Sequence, residues 1–251
     1  MLLTIDIGNT NIKFGVFDDE NLIDTFRLPS DRDLPQNDYE SLIGKLIKNY
    51  DIDGCIIGSV VNELTMGIKQ CCDNILRLNT MILNSNLSVN IRVDVKNPVE
   101  MGADRVANAV AAVKRYSAPL IVVDVGTATT FDIVSKDLHL HGGIIMPGIG
   151  LQLKALNLNT SKLPKIDATK SENLIGNDTK SSILSGVIRG TACSICGLIE
   201  QCKQELEGDV TTILTGGYGS LLAEYMPQNL DYIDTNLTLQ GLNYIYRMNI
   251  N

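Results

Sequence analysis

The chain has 251 residues, 44% of them hydrophobic and 20% charged, which suits a globular protein with a packed core built as one large domain or two medium ones. Its formal net charge of -8 leaves no basic surplus to release counterions, so a nucleic-acid binder held by phosphate contacts is excluded; a small anionic substrate held by a few local cations is not. No apolar run is expected to reach the ~20 residues that span a bilayer, and "MLLTIDIG" has no basic lead and meets Asp6 too early for a secretory signal. A cytoplasmic protein that binds no membrane is therefore expected.

Residues 2–7 read as a buried strand, 11–17 (NIKFGVF) as a second, "DDEN" as a turn and 21–27 (NLIDTFR) as a third strand. Residues 30–40 read as a loop or short helix rich in turn formers. Residues 53–61 (DGCIIGSVV) read as a strand, and 62–76 as a helix through Leu64, Ile68 and Leu76. An alanine-rich helix is expected over 103–116, where small residues permit close helix packing. Then "PLIVVDVG", "TATTFDIV", the turn "SKD" and "LHLHGGII" repeat the opening triplet across 119–145. Residues 160–180 read as loops or short helices, 210–217 (VTTILTGG) as a strand, and about 219–226 as a helix.

The two triplets align with Asp6 on Asp124, Gly8 on Gly126 and Thr10 on Ala128, an offset of 118 that is close to half the chain. The period is too long for a solenoid and implies a duplicated domain. The halves are expected at 1–116 and 117–251, with the boundary in "RYSAP" at 115–119.

Two hairpin turns, facing each other across a cleft, would carry the chemistry. Gly8, Asn9 and Thr10, with Lys13 beyond, form one; Gly126, Thr127, Ala128 and Thr129 form the other. Glycine lets backbone N–H groups approach a ligand closely, and hydroxyls and amides suit phosphate oxygens. Asp6 and Asp124, at the two strand ends, suit a cation beside those phosphates. A lone Asp-x-Gly is a common turn; its recurrence at matched positions favours a phosphate clamp. "TGGYGS" at 215–220 reads either as a strand-to-helix turn needing positive φ or as a surface for a purine and ribose, and the order hairpin, hairpin, strand-Gly-Gly-helix favours the second. Cys193-x-x-Cys196 lacks a second CxxC or a histidine pair, so it reads as small buried residues of a helix rather than zinc or redox chemistry. His139 and His141 share one strand face but have no third ligand nearby, and no metal site is expected there.

This ordered set resembles the acetate kinase, sugar kinase, Hsp70 and actin superfamily. "NPVEMGADRVANAVAA" at 97–112 narrows the resemblance to the type III pantothenate kinase family. "DIGNTNIKFG", "DVGTATTFD", "GGIIMPG", "IGNDTKSSILSGVIRG", "TGGYG" and "LTLQGL" follow in that family's order along the chain. The resemblance implies an α/β fold of duplicated ribonuclease H-like domains (the actin-like ATPase fold), mixed sheets flanked by helices, with the nucleotide in the interdomain cleft. It implies ATP-dependent phosphorylation of pantothenate, the first step of coenzyme A biosynthesis, by a homodimer.

The same resemblance implies roles for single residues. Asp104 would be the catalytic base on the primary hydroxyl of pantothenate, and Arg105 would bind its carboxylate. Gly102 and Ala103 would bring backbone to the substrate, and Thr179 would touch it; a threonine in "NDTK" is otherwise an ordinary helix cap. Asp6, Ile7, Gly8, Asn9, Thr10, Asn11, Ile12 and Lys13, with Thr127, would bind ATP. Asp6 would hold magnesium through water, and Asp124 a monovalent cation, potassium or ammonium. Val95 stands where relatives often carry tyrosine, which removes an aromatic wall or hydroxyl from the acceptor side. Two other readings use the same fold: a kinase of another small hydroxyl compound, and a non-catalytic regulator of gene expression. Retention of Asp6, Asp104, Arg105 and Asp124 favours an enzyme.

Overall fold

The computed structural model describes residues 1–250. The backbone forms two compact units, Met1–Lys114 with the segment from Leu237 onward, and Arg115–Asn236.

The first unit runs β1 (Leu2–Ile7), β2 (Asn11–Asp18), β3 (Asn21–Pro29), α1 (Gln36–Ile47), β4 (Gly54–Ser59), α2 (Asn62–Leu76), two short strands β5 (Met81–Ile82) and β6 (Arg92–Val93), and α3 (Ala103–Arg115). Its sheet has the order β3-β2-β1-β4-β5, antiparallel across the hairpins and parallel from β1 to β4 and β4 to β5. Side chains alternate across a strand, and β1 is buried on both faces because each face has its own cover. Leu3, Ile5 and Ile7 pack with Ile43 of α1 and Ile68 of α2. Each such buried side chain contributes about 1.5–3 kcal/mol relative to exposure.

The second unit runs β7 (Leu120–Val125), β8 (Ala128–Val134), β9 (His139–Pro147), α4 (Ile149–Leu158), α5 (Thr179–Leu184), α6 (Gly190–Glu205), β10 (Thr211–Thr215), α7 (Gly219–Ala223) and β11 (Tyr232–Ile233). Among the unit's own strands, the order β9-β8-β7-β10-β11 repeats the order of the first sheet. Ile121, Val123, Val125 and Phe131 pack against Ile149 of α4 and Ile188, Ala192 and Ile195 of the long helix. The unit's two ends lie together: Arg115 pairs with Asp234 at 3.5 Å, and the Tyr116 and Tyr232 rings stand 4.4 Å apart.

The register corrects the repeat in one respect. Asp6 faces Lys13 across the first hairpin, and Asp124 faces Thr130 across the second. The second turn is one residue shorter, since Ile7 pairs with Ile12 but Val125 pairs with Thr129. The offset of 118 therefore holds along β1 and β7 and becomes 117 along β2 and β8. Phe14 then matches Phe131, both fully buried, and Thr10 has no residue-for-residue partner in Ala128. The bulges at Val16/Phe17 and Ile133/Val134 fall at the same offset of 117.

The last element, α8 (Leu237–Asn249), departs from the expected division at 116 and 117, because it packs on β1, β2 and β4 of the first unit. Three strand glycines make its seat. A Cβ on Gly15 would stand 3.2 Å from Leu239, one on Gly58 2.9 Å from Leu242, and one on Gly54 would overlap the Tyr246 ring. Two further helices go beyond the sequence reading: α1 begins in the stretch read as a loop or short helix and runs on to Ile47, and α4 was not expected. In α1, Tyr39, Ile43 and Ile47 recur every fourth residue and face the core; α4 follows directly on the third strand of its triplet.

Thr179–Glu205 is one continuous helical run of 27 residues, with a π-helical turn at Ser185–Arg189 joining α5 to α6. By length and composition it is apolar enough to cross a membrane, contrary to the expectation that no stretch reaches that size. Leu184, Val187, Ile188, Ile195 and Ile199 are buried in the core of the second unit, which accounts for its apolar composition.

Candidate active site

The first turn is braced from behind. Gly8 N–H donates to the Asn11 carbonyl at 3.0 Å, closing the hairpin. Ser30, just beyond β3, donates its hydroxyl to the Gly8 carbonyl at 2.5 Å and its N–H to the Thr10 carbonyl at 3.0 Å. Arg32 donates to Asn9 Oδ1 at 3.2 Å. Asn9 and Thr10 remain exposed at the tip. Ile7 and Ile12 are fully buried, so of that run they can offer a ligand only main-chain groups. Asp6 is 8% exposed and sits directly opposite Lys13 in register, so both side chains leave the same face of the sheet. Thr4, opposite Gly15, shares that face, which is the one α8 covers.

In the same unit, Gly102 opens α3. Its carbonyl accepts from the N–H groups of Arg105 at 3.1 Å and Val106 at 3.2 Å. Asp104 lies in the first helical turn, and its Oδ1 accepts from the Arg105 N–H at 2.8 Å. A carboxylate is favoured there by the partial positive charge of the helix N-terminus. A Cβ on Gly102 would overlap Asp104 Oδ1 and come within 3.3 Å of Val60, so the glycine makes room for the carboxylate to curl back. Gly102, Ala103, Asp104 and Arg105 are all partly accessible.

The second unit gathers its candidates around the ends of β7 and β10, where Asp124 and Thr215 are register partners. Gly126 N–H donates to the Ala128 carbonyl at 3.0 Å, and the Thr127 carbonyl accepts from Gly148 N–H at 3.1 Å. Gly148 precedes α4 and lies so close that a Cβ would overlap the Gly126 and Thr127 carbonyls. Gly216 has φ of +93°, and a Cβ there would overlap Asp124 Oδ1 and the Val125 backbone. The Tyr218 N–H donates to the Val125 carbonyl at 3.1 Å. The strand-Gly-Gly turn, the second hairpin and the start of α4 thus form one surface, with Asp124 and Thr127 half-buried in it. Thr129 is fully buried, so its hydroxyl is withdrawn from the turn that was expected to present it.

Thr179 stands apart from that group, as the exposed first residue of α5. The cap is Asp178, not Thr179: Asp178 Oδ1 accepts from the Ser181 N–H at 2.7 Å, and the Ser181 hydroxyl reaches back to the Asp178 backbone. Thr179 lines a pocket of about 640 Å³ together with apolar Leu156, Leu163, Ile183 and Val187 and polar Asn177, Asp178 and Ser182.

Sequence reasoning did not find Ser30, Arg32 or the contact of Gly216 with Asp124. The first two lie in a loop whose composition signals only a turn. The third joins residues about ninety positions apart and needs the parallel pairing of β7 with β10 to be seen. The six cysteines are all free thiols; Cys193 is exposed and Cys196 only partly covered, so the expected pair of buried helix residues fails at Cys193, while partial burial raises the thiol pKa values of Cys196 and Cys202.

The repeated β-β-β-α-β order with tight glycine turns at the strand ends defines the actin-like ATPase fold. A Listeria monocytogenes protein described as an N-acetylmannosamine kinase shares it with a TM-score of 0.54 at 16% identity, over 98% of each chain. A Campylobacter jejuni protein described as a Baf family transcriptional activator does so with a TM-score of 0.62 at 23% identity, over 98% of this chain and 97% of that one. The model of the type III pantothenate kinase family matches residues 2–201. Type III pantothenate kinases of Halalkalibacterium halodurans and Bacillus cytotoxicus are 36% and 34% identical, over 100% and 99% of this chain and 100% and 97% of theirs. The chain belongs to the type III pantothenate kinase family, and it is a kinase.

Proposed function

We propose that the chain transfers the γ-phosphate of ATP to the primary hydroxyl of pantothenate, giving 4'-phosphopantothenate and opening coenzyme A biosynthesis. The observation that carries this reading is Gly102–Arg105 at the start of α3, an accessible carboxylate next to a guanidinium, in a chain matched to the family over residues 2–201. Asp104 takes the hydroxyl proton as attack on the phosphate consumes it, a task for which an ordinary carboxylate suffices. Arg105 holds the pantothenate carboxylate through its planar fork of donors. Gly102 and Ala103 bring backbone to the substrate, and Thr179 contacts it.

The Asp6–Lys13 hairpin and Thr127 hold ATP, mainly through backbone N–H groups, hydroxyls and the Lys13 ammonium. Asp6 itself offers carboxylate oxygens, which suit magnesium, and among the described residues no three His, Cys, Asp or Glu side chains converge to cage an ion. Magnesium would thus be held by phosphates and water beside Asp6; when bound, it neutralises charge on the transferring group. Asp124 holds a monovalent cation, potassium or ammonium. The protein acts as a cytoplasmic homodimer of two-domain subunits.

The test is a coupled assay with pantothenate, ATP, magnesium and potassium. Activity should fall when sodium replaces potassium. Asp104→Asn should cut turnover to a small residual rate while ATP still binds, and near-normal activity in that variant would overturn the role of Asp104. Rescue of a strain lacking pantothenate kinase separates the enzyme from a non-catalytic regulator, and a panel of hydroxyl acceptors separates pantothenate from other substrates.

A further inference from the structure

The run "LTLQGL" opens α8, and nothing in the proposed chemistry uses it. Two of its residues meet α3 one turn beyond Asp104. Thr238 donates its hydroxyl to Asn108 Oδ1 at 2.8 Å, with Thr238 5% exposed and Asn108 fully buried. Asn108 follows Asp104 by four residues and so lies on the same face of α3. Three residues along α8, Gly241 backs onto Ala107 so closely that a Cβ would overlap the Ala107 carbonyl oxygen. The hydrogen bond fixes the rotation of α3 about its axis, and the backbone contact fixes its depth.

The rest of α8 is indexed to the strands that carry Asp6 and Lys13. Leu242 lies over Gly58, the register partner of Asp6, and Leu239 lies over Gly15, two residues beyond Lys13 on β2. One helix therefore holds both the sheet position of Asp6 and the second turn of α3. We propose that Thr238 and Gly241 are positioning residues for Asp104. They set where its carboxylate stands relative to the Asp6–Lys13 hairpin, touching neither substrate nor ATP. This rests on the reading of Asp104 as the base.

The test is steady-state kinetics on the full chain. Thr238→Val removes the hydroxyl and keeps the shape, and Gly241→Ala forces α3 and α8 apart. Each should lower kcat about tenfold or more, the scale on which small misplacements of a catalytic group act, and leave KM for ATP within about twofold. Thr238→Ser should restore kcat. Ile68→Val, in the α2 core, should lower Tm without lowering kcat.

Combined with Asp104→Asn, Thr238→Val should leave the residual turnover unchanged, because there is no base left to misplace. The proposal is overturned if Thr238→Val folds and keeps full kcat, or if it lowers residual turnover equally in the Asp104→Asn background. Should Gly241→Ala fail to fold, the valine and serine variants decide alone. An active Asp104→Asn enzyme would instead overturn the reading of the base, and the proposal with it, which is a distinct result.

Discussion

Gly216 shows how much one residue constrains. Its φ of +93° lies in the left-handed region, and its Cα faces Asp124 and Val125 with no room for a methyl group. Gly216→Ala should lower stability by more than about 1 kcal/mol and raise KM for ATP, because the strand-Gly-Gly turn and the second hairpin share that contact. Thermal melting and ATP titration of the kinase assay check both effects. The glycine itself was legible, since a strand followed by Gly-Gly and a helix asks for positive φ. What it packs against was not legible, because that depends on a parallel pairing that local sequence does not encode. The same divide runs through the first turn: its Asp-x-Gly announced itself twice along the chain, at Asp6 and Asp124, while Ser30 and Arg32, which hold it from behind, look like ordinary loop residues.

At the scale of the element, the start of α5 illustrates a helix set by its cap. The Ser181 N–H and hydroxyl hold the Asp178 carboxylate below the usual 3.8. A depressed folded value means that this support is complete above the unfolded value and is lost as pH falls through the folded one. The first turn of α5, and Thr179 with it, should therefore loosen below about pH 4. Hydrogen exchange at residues 179–184 should show the acid-dependent opening, and Asp178→Asn should keep the cap and lose the pH dependence. Other elements were legible to differing degrees. The triplet strands were clear, because short apolar runs end at Gly, Asn and Asp turns. The α4 sequence IGLQLKALNL follows a strand with only Gly148 between, so its apolar run carries no clear break. In α8, Gly241 and Asn243 are buried among leucines, and that mixture hides the periodicity. Both residues are buried for reasons visible only in the fold: Gly241 for its contact with α3, and Asn243 for its 3.0 Å hydrogen bond to the Asp19 carbonyl.

Across the whole molecule, duplication was legible and the division of the chain was less so. A repeat at near-constant offset predicts two equal halves, yet the last helix belongs with the first. A chain stopped at Asn236 should lose the cover over β1, β2 and β4 and expose the seat left by Leu239, Leu242 and Tyr246. Residues of the first unit should then lose hydrogen-exchange protection, while Ile121, Val123, Ile188 and Ile195 of the second unit keep theirs. That excursion from one unit to the other and back has a consequence for how the protein is made. The first unit to emerge from a ribosome is the last to be completed, because it waits for the segment Leu237–Asn249 to be synthesised. A nascent polypeptide interrupted between Gly148 and Leu237 carries both hairpin turns but lacks the contacts of Thr238 and Gly241 with α3. A copy of the kinase left unfinished in that window should therefore be inactive, and an assay of the chain stopped at Asn236 checks this.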